Sequence, residues 1–504
     1  MNNGVFNKPK SIKERLSEYY LNLSENKLFQ RIPAFKEIND YRERQKKDAL
    51  EYLEQSKRPT GNDLKLISFY LYDIFLLEDF SELGKNLDDL FVPGQFSSTT
   101  ESFQSMLEQA AIQPGTIYFS LPLIVGKNTD FIPANRKKLE DIPDFIKYIE
   151  SKITKILPSL LIMTIHVVLK EELVNAEINN ILEHAYQQRI IFNTYFPWKT
   201  ICSGVAWYPP HHEKKRECAK LLNGYKLKTE QFLYKYFHGI FLSKDNKLNR
   251  CPSLEIYSIS QLPAATDIIG WARTSQEFWR LLGFEYIHNK VWFKNENSIY
   301  YAGSISGHPY TNKLIIDKAS IVQAADAGGR QSISKISSNT NEEFIAGMAL
   351  IGLFAKLNEQ IRNLKTTLFM SIKKRRRDSF KKLINIKNEV SQSAIKIDNV
   401  VKEYENIKKD DLRNGEVEFQ GIADKKNLSQ VFSENVDFLI KENKKIIEPI
   451  NSYATEYFSN ENIRSNYRLQ KWIVFLTVII CILTMLSFWK SIWKILKCLI
   501  KAIF

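Results

Sequence analysis

Apolar positions change rhythm several times along the chain. Over 11–112 they recur at three- and four-residue steps, as at Leu64, Ile67, Leu71, Ile74 and Phe75, punctuated by Gly61, Pro93, Gly94 and Pro114. That period predicts a helical region over 1–112 with one apolar face. From 116 to 121 the rhythm alternates instead, Ile117, Phe119 and Leu121 against Tyr118 and Ser120. Residues 160–169 (LLIMTIHVVL) are apolar on both faces, the signature of a central strand. Helices are predicted between them, over 142–156, and after them, over 171–186, so strand and helix alternate.

A second group of strand signals follows an aromatic-rich stretch over 191–250. Leu254, Ile256 and Ser258 alternate with Glu255, Tyr257 and Ile259. Thr274 and Glu277 have capping-box spacing before Phe278, Leu281 and Leu282, with Gly283 as the stop, which predicts a short helix. Residues 290–294 and 298–302 then alternate around Asn295, Glu296 and Asn297, the pattern of a hairpin. The expectation for 113–325 is an α+β domain with a mixed sheet; two small α+β lobes divided near 190–250 are the alternative.

Residues 326–342 are rich in glycine, serine and asparagine and read as a linker. Beyond it the helical period returns over 343–470. No Gly or Pro occurs between Leu353 and Asn414, and Phe380, Leu383, Val390, Ala394, Ile397, Val401 and Tyr404 keep a three-four spacing broken by Lys387. This predicts a coiled-coil-like stalk, with Leu383, Val390, Ile397 and Val401 as the self-association seam. A turn-rich piece near 414–424 and a second helical stretch bent at Pro449 complete an antiparallel hairpin. Folding back about residue 418 would set 373–377 level with 459–463, about 15 Å of helical rise short of Lys471.

Between Lys471 and Lys490 stand eighteen uncharged residues, WIVFLTVIICILTMLSFW. A helix needs roughly 20 mostly apolar residues to cross the hydrocarbon of a bilayer, so 471–489 is predicted to span. Trp472, Trp489 and Trp493 fall where an aromatic belt lies. In the tail, 490–504, Lys490, Lys494, Lys497 and Lys501 share one helical face against Trp493, Leu496, Leu499 and Ile503, as in an interfacial amphipathic helix.

Charge refines this picture. The formal net charge is +14, and it gathers in two places. Between Arg362 and Lys382 nine Lys or Arg stand against Asp378 alone, and five lysines against no acid run from Lys471 onward. The basic run Lys373, Lys374, Arg375, Arg376 and Arg377 and the tail lysines therefore favour lipid headgroups over a nucleic-acid groove. No apolar signal segment succeeds the first lysines, and Cys202, Cys218 and Cys251 are too few and scattered for a disulfide framework. The expected location is a membrane crossed once, with the N-terminal bulk in a reducing cytoplasm.

Chemistry is sparsely marked. Cys202, His211, His212 and Cys218 offer zinc-type donors, with Glu213 and Cys251 nearby, but their spacing fits no finger, ribbon or HExxH pattern, and no metal or other cofactor is assigned. His166 on a central strand reads as a core histidine and His184, near Glu177 and Glu183, as a helix-surface one. Gly328, Gly329 and Arg330 lack the pattern of a phosphate loop. Ser304 to His308, with Asp317, has no nucleophile elbow. Trp271, Trp279, Trp292, Tyr300, Tyr301 and Tyr310 could stack on bases, though such residues more often line a core. The expectation is a membrane-anchored sensor or effector, suited to a stress or anti-phage role. Its body binds a protein or small ligand, and its stalk and tail couple that event to the membrane. A membrane-tethered hydrolase or nucleotide-acting enzyme is the rival.

Overall fold

The computed structural model describes residues 63–91, 101–113, 118–126, 136–184, 189–192, 205–208, 210–242, 251–263, 276–284, 291–294, 298–301, 311–318, 332–373, 377–407, 420–421 and 428–503, with isolated positions before 48 and between 267 and 273. The chain is mixed α and β, mostly helical, and divides into two compact units. One comprises Met1–Ala355 with Val400–Phe438, and the other Lys356–Asn399 with Leu439–Phe504.

The first unit is built on a mixed sheet with a long antiparallel pair in its interior, β1 (Lys65–Leu76) and β6 (Leu160–Leu169). On one side of this antiparallel pair come β5 (Ile146–Leu157), β3 (Leu123–Gly126) and β4 (Arg136–Leu139), with β2 (Tyr118–Ser120) also on β5. On the other come β9 (Ser253–Ile259), β12 (Thr311–Asp317), β11 (Ser298–Tyr301), β10 (Val291–Lys294) and β13 (Gln420–Gly421). The pairs β9/β12 and β3/β4 are parallel and the other ladders antiparallel, as a mixed sheet requires. A separate two-stranded ribbon pairs β7 (Arg189–Phe192) with β8 (Val205–Tyr208).

Two helices predicted from periodicity are strands. The run from Leu64 to Phe75 has helical steps only because almost every position in KLISFYLYDIFL is apolar or aromatic. As β1 it is buried on both faces, which the strand period permits and a one-faced helix does not. Ile146, Ile149, Ile153 and Ile156 likewise fit three-four steps. In β5, however, the buried face is Ile149, Ser151, Ile153, Lys155 and Leu157, a strict alternation that suits β-branched residues. The sheet body thus begins near 65 rather than 113. Within 1–112 the helices are α1 (Phe80–Leu90) and α2 (Phe103–Ile112), and most of 1–62 lies outside the described residues. The carboxylate of Asp88 on α1 accepts from the amides of Phe103 and Gln104 and so caps α2. Lys155 holds the other end through the carbonyls of Ala110 and Gln113.

One face of the sheet is packed by α3 (Glu171–Glu183) and α4 (Pro210–Leu233). Asn175 of α3 pairs with both backbone groups of Leu66, and the β1 carboxylate of Asp73 accepts from the amides of Gly239 and Phe241 just beyond α4. A Cβ at Gly239 would fall onto that carboxylate. The short helix α5 (Gln276–Leu281) ends at Gly283, whose φ of 80° is the left-handed stop expected of it; Thr274 lies outside the described residues. On the opposite face Asn312 donates to the sulfur of Met348, on α6 (Ser332–Lys373). Helix α6 begins within the stretch expected to be linker. Residues 326–331 of that stretch lie outside the described residues.

Two further helices complete the chain, α7 (Arg377–Ile407) and α8 (Leu428–Ile503). Within the first unit Tyr404 Oη lies 3.4 Å from Ser433 Oγ, a pairing compatible with a fold-back near 418. Within the second unit Arg362 lies 3.5 Å from Glu442, whereas that fold-back would set it near Val474. The fold-back register at Tyr404 therefore does not extend to Arg362 on α6. Pro449 interrupts neither the helical assignment of α8 nor its continuation.

Candidate membrane-spanning segment and buried polar clusters

Helix α8 runs for 76 residues and its apolar part is bare. The stretch Asn462–Lys497 is the one helix among the described residues long and apolar enough to cross a membrane; its most apolar window has a mean hydropathy of 2.4 and no buried residue. Trp472 is 65% exposed and Met485 74%. Thr477 and Thr484, the polar interruptions, turn their hydroxyls back onto the carbonyls of Ile473 and Ile480, so they present little unsatisfied polarity. No break separates this stretch from the tail: α8 continues through Lys490, Lys494 and Lys497, all exposed, to Ile503. The backbone of Lys501 lies in the same helix, and its side chain is outside the described residues.

Other predicted residues are dispersed. Lys373 is the last described residue of α6 and Arg377 the first of α7, while Lys374, Arg375 and Arg376 lie outside the described residues. Val390, Ile397 and Val401 are buried. The side chain of Leu383 is outside the described residues. His211 and His212 stand on the first turn of α4, their rings 4.6 Å apart, and Cys218 lies seven residues on. That spacing is about 10 Å of helical rise, too long for one metal ion to bridge. Burial, then His212, holds the His211 imidazole down to about 4, and burial pushes the Cys218 thiol up to about 12. Cys202 lies outside the described residues, among which no cluster of three or more His, Cys, Asp or Glu is placed to hold a metal.

Of the aromatic candidates, Trp279 and Tyr301 are buried core residues. Trp279 contacts Trp271 and Phe284, and Phe284 contacts Tyr301 and Tyr257. The side chains of Trp292 and Tyr300, together with Tyr310, Ser304, His308, Gly328, Gly329 and Arg330, lie outside the described residues. His184 is the exposed C-cap of α3, and Asp317 accepts from the amide of Leu262.

Two polar clusters lie inside the sheet body; the first escaped the pattern reading, and the second surrounds His166, which that reading placed in the core. The first centres on Glu255 of β9, whose carboxylate takes the ammoniums of Lys226 (2.6 Å) and Lys313 and the hydroxyl of Tyr257 (2.9 Å). Thr311 extends it, 3.4 Å from Lys226 and 3.0 Å from Ser253. Alternation in the sequence puts Glu255 on the polar face of β9; in the structure α4 closes that face and brings Lys226 to meet it. The paired ammoniums hold the Glu255 carboxyl down at about 2 against the opposing effect of burial, and burial lowers Lys313. The second cluster lies on the opposite face of β1 and β6. His166 stacks on Tyr70 at 4.2 Å and 8°, and its Nδ1 is 3.6 Å from the Glu150 carboxylate, beyond a hydrogen bond. Its two nitrogens and the hydroxyls of Ser68 and Thr164 are buried without a hydrogen-bond partner among the described residues.

No protein-family model matches the chain, and a search of curated proteins finds no match either. The functional reading therefore rests on the residues themselves.

Proposed function

We propose that the protein is a membrane-anchored recognition or effector protein. In this reading α8 fixes it in the bilayer through 472–489, and the sheet body binds a partner or small ligand. The observation that carries this reading is the bare apolar surface of α8. Full burial of one large apolar side chain is worth about 1.5–3 kcal/mol, so a run of them at about half exposure or more supports a non-aqueous surrounding. The basic run 373–377 and the tail lysines suit the anionic headgroups beside such a span. The proposed orientation keeps the sheet body in the cytoplasm. A protein shortened to end at Gln470 should leave the membrane fraction and remain folded; its persistence there would defeat the single anchor.

The rival, a tethered enzyme, would draw on the perturbed groups of the two buried clusters or on His211 and Cys218 along α4. Those around Glu255 are saturated by one another, and His166 is sealed under the sheet's cover. Recognition is therefore the reading we favour.

A further inference from the structure

Helix α4 carries a glycine, Gly224, close to its middle, where glycine weakens a helix relative to alanine. Packing does not require it, because a Cβ built there would meet nothing within 4 Å. The room it leaves is one wall of a cleft of about 530 Å³, within the range of small-molecule sites. Facing stripes of two helices form the cleft. Leu173, Glu177 and Ile181 recur every four residues on α3, and Glu217, Leu221, Gly224 and Lys228 share a face of α4; the turn carrying Asp144 and Phe145 closes one end.

The floor is largely apolar, with one internal hydrogen bond. The Phe145 and Tyr225 rings lie 4.7 Å apart, and the Tyr225 hydroxyl donates to Glu177 at 2.6 Å. Burial, then Glu177, raises the phenol well above its ordinary range, so it keeps its proton and orients that carboxylate. Glu217 is occupied by Lys220 at 3.1 Å. Two charges at the rim, Asp144 and Lys228, have no ion-pair partner among the described residues. The cleft therefore offers a rim anion and a rim cation with no ion-pair partner among the described residues, a second carboxylate, Glu177, held by the Tyr225 hydroxyl, and an apolar floor.

We propose that this cleft binds a free α-amino acid with a large apolar side chain, its ammonium directed to Asp144, its carboxylate to Lys228 and its side chain to Phe145 and Leu221. This deepens the recognition reading by naming the ligand class, and it is testable independently of the anchor. The full chain reconstituted in lipid nanodiscs is titrated calorimetrically with L-phenylalanine, phenethylamine and 3-phenylpropionate. Saturable binding of phenylalanine is expected at millimolar concentration or below, with each singly charged analogue about tenfold weaker, as loss of one charge-assisted contact implies. Gly224→Leu should abolish binding while leaving the melting temperature unchanged or raised, because its side chain enters open space. Asp144→Asn and Lys228→Met, which break no described ion pair, should each weaken phenylalanine about tenfold and erase the preference over the matching analogue. Absence of saturable phenylalanine binding, equal binding of the analogues, or full binding by the Gly224→Leu protein would overturn the proposal. Each of these would leave the anchor reading standing, since that is decided by membrane fractionation alone.

Discussion

The Lys226 ammonium lies 2.6 Å from Oε1 of Glu255, with both side chains almost completely withdrawn from solvent. Lys313 reaches the other oxygen of the same carboxylate, so one buried anion serves two buried cations. Such an arrangement ties α4 to the parallel pair β9/β12 and is sensitive to loss of its centre. Removing one partner of a buried ion pair costs about 3–5 kcal/mol, because the remaining charge is left uncompensated. Glu255→Gln is expected to destabilise the protein by that order, measured by urea titration. Adding Lys313→Met should recover part of the loss, since the two sites share one network and their effects cannot be additive.

His166 predicts a pH dependence of opposite origin. Burial lowers its imidazole below the ordinary 6.5, with Glu150 opposing only in part. The unfolded chain therefore takes up a proton near pH 6.5 that the folded chain refuses, and stability falls as the pH drops below that point. The slope for one such proton is about 1.4 kcal/mol per pH unit. His166→Phe keeps a ring against Tyr70 and removes the titration, so its stability between pH 6.5 and pH 5 should fall less steeply than wild type by about one proton's worth. Identical slopes in parallel urea titrations would mean that His166 protonates freely in the fold.

How the sequence relates to these clusters turns on what alternation can encode. β6, β9, the hairpin β10/β11, α3 and the Gly283 stop were legible, because each has one dominant period or a specific backbone requirement. β1 and β5 were not. A continuous apolar run has no period to read, and isoleucines spaced three and four apart satisfy a helix and a strand alike until a partner strand selects one. The ion network was hidden for a related reason. A charged residue in a strand marks a polar face, and only the tertiary packing of α4 turns the polar face of β9 inward. The apolar segment of α8 was legible in full, because its length and lack of charge need no partner to interpret them.

The basic run suggests a salt-sensitive contact with anionic lipid. Each cation near such a surface contributes about 1 kcal/mol, and the effect is screened by salt. Replacing Lys373, Lys374, Arg375, Arg376 and Arg377 by glutamate in a protein ending at Gln470 should reduce its sedimentation with anionic vesicles. Raising the salt concentration should do the same to the unaltered version. Indifference to both changes would make the run a solvated helix turn.

The tail decides between a passive anchor and an effector. Because α8 continues unbroken from Trp472 to Ile503, its lysines follow the apolar segment on one helix. If 472–489 spans as proposed, about 20 residues cross the hydrocarbon and the positions beyond Lys490 would reach the far interface, where Trp493 and Leu496 could enter the acyl boundary while Lys494 and Lys497 seek headgroups. A wedge of this kind stresses the bilayer in proportion to its density. Clustering of the protein would raise that density without new chemistry, but Ile397 and Val401 are buried in the chain itself and do not offer a clean way to block it. The tail does. Overproduction of the full chain should depolarise cells, read with a potential-sensitive dye, whereas a chain ending at Trp489 should remain in the membrane fraction and leave the potential intact. Replacing Lys490, Lys494 and Lys497 by serine should give an intermediate result, because the apolar wedge stays while its headgroup contacts are lost. Full depolarisation by the shortened chain would assign the effect to the span or the body and remove the tail from the mechanism.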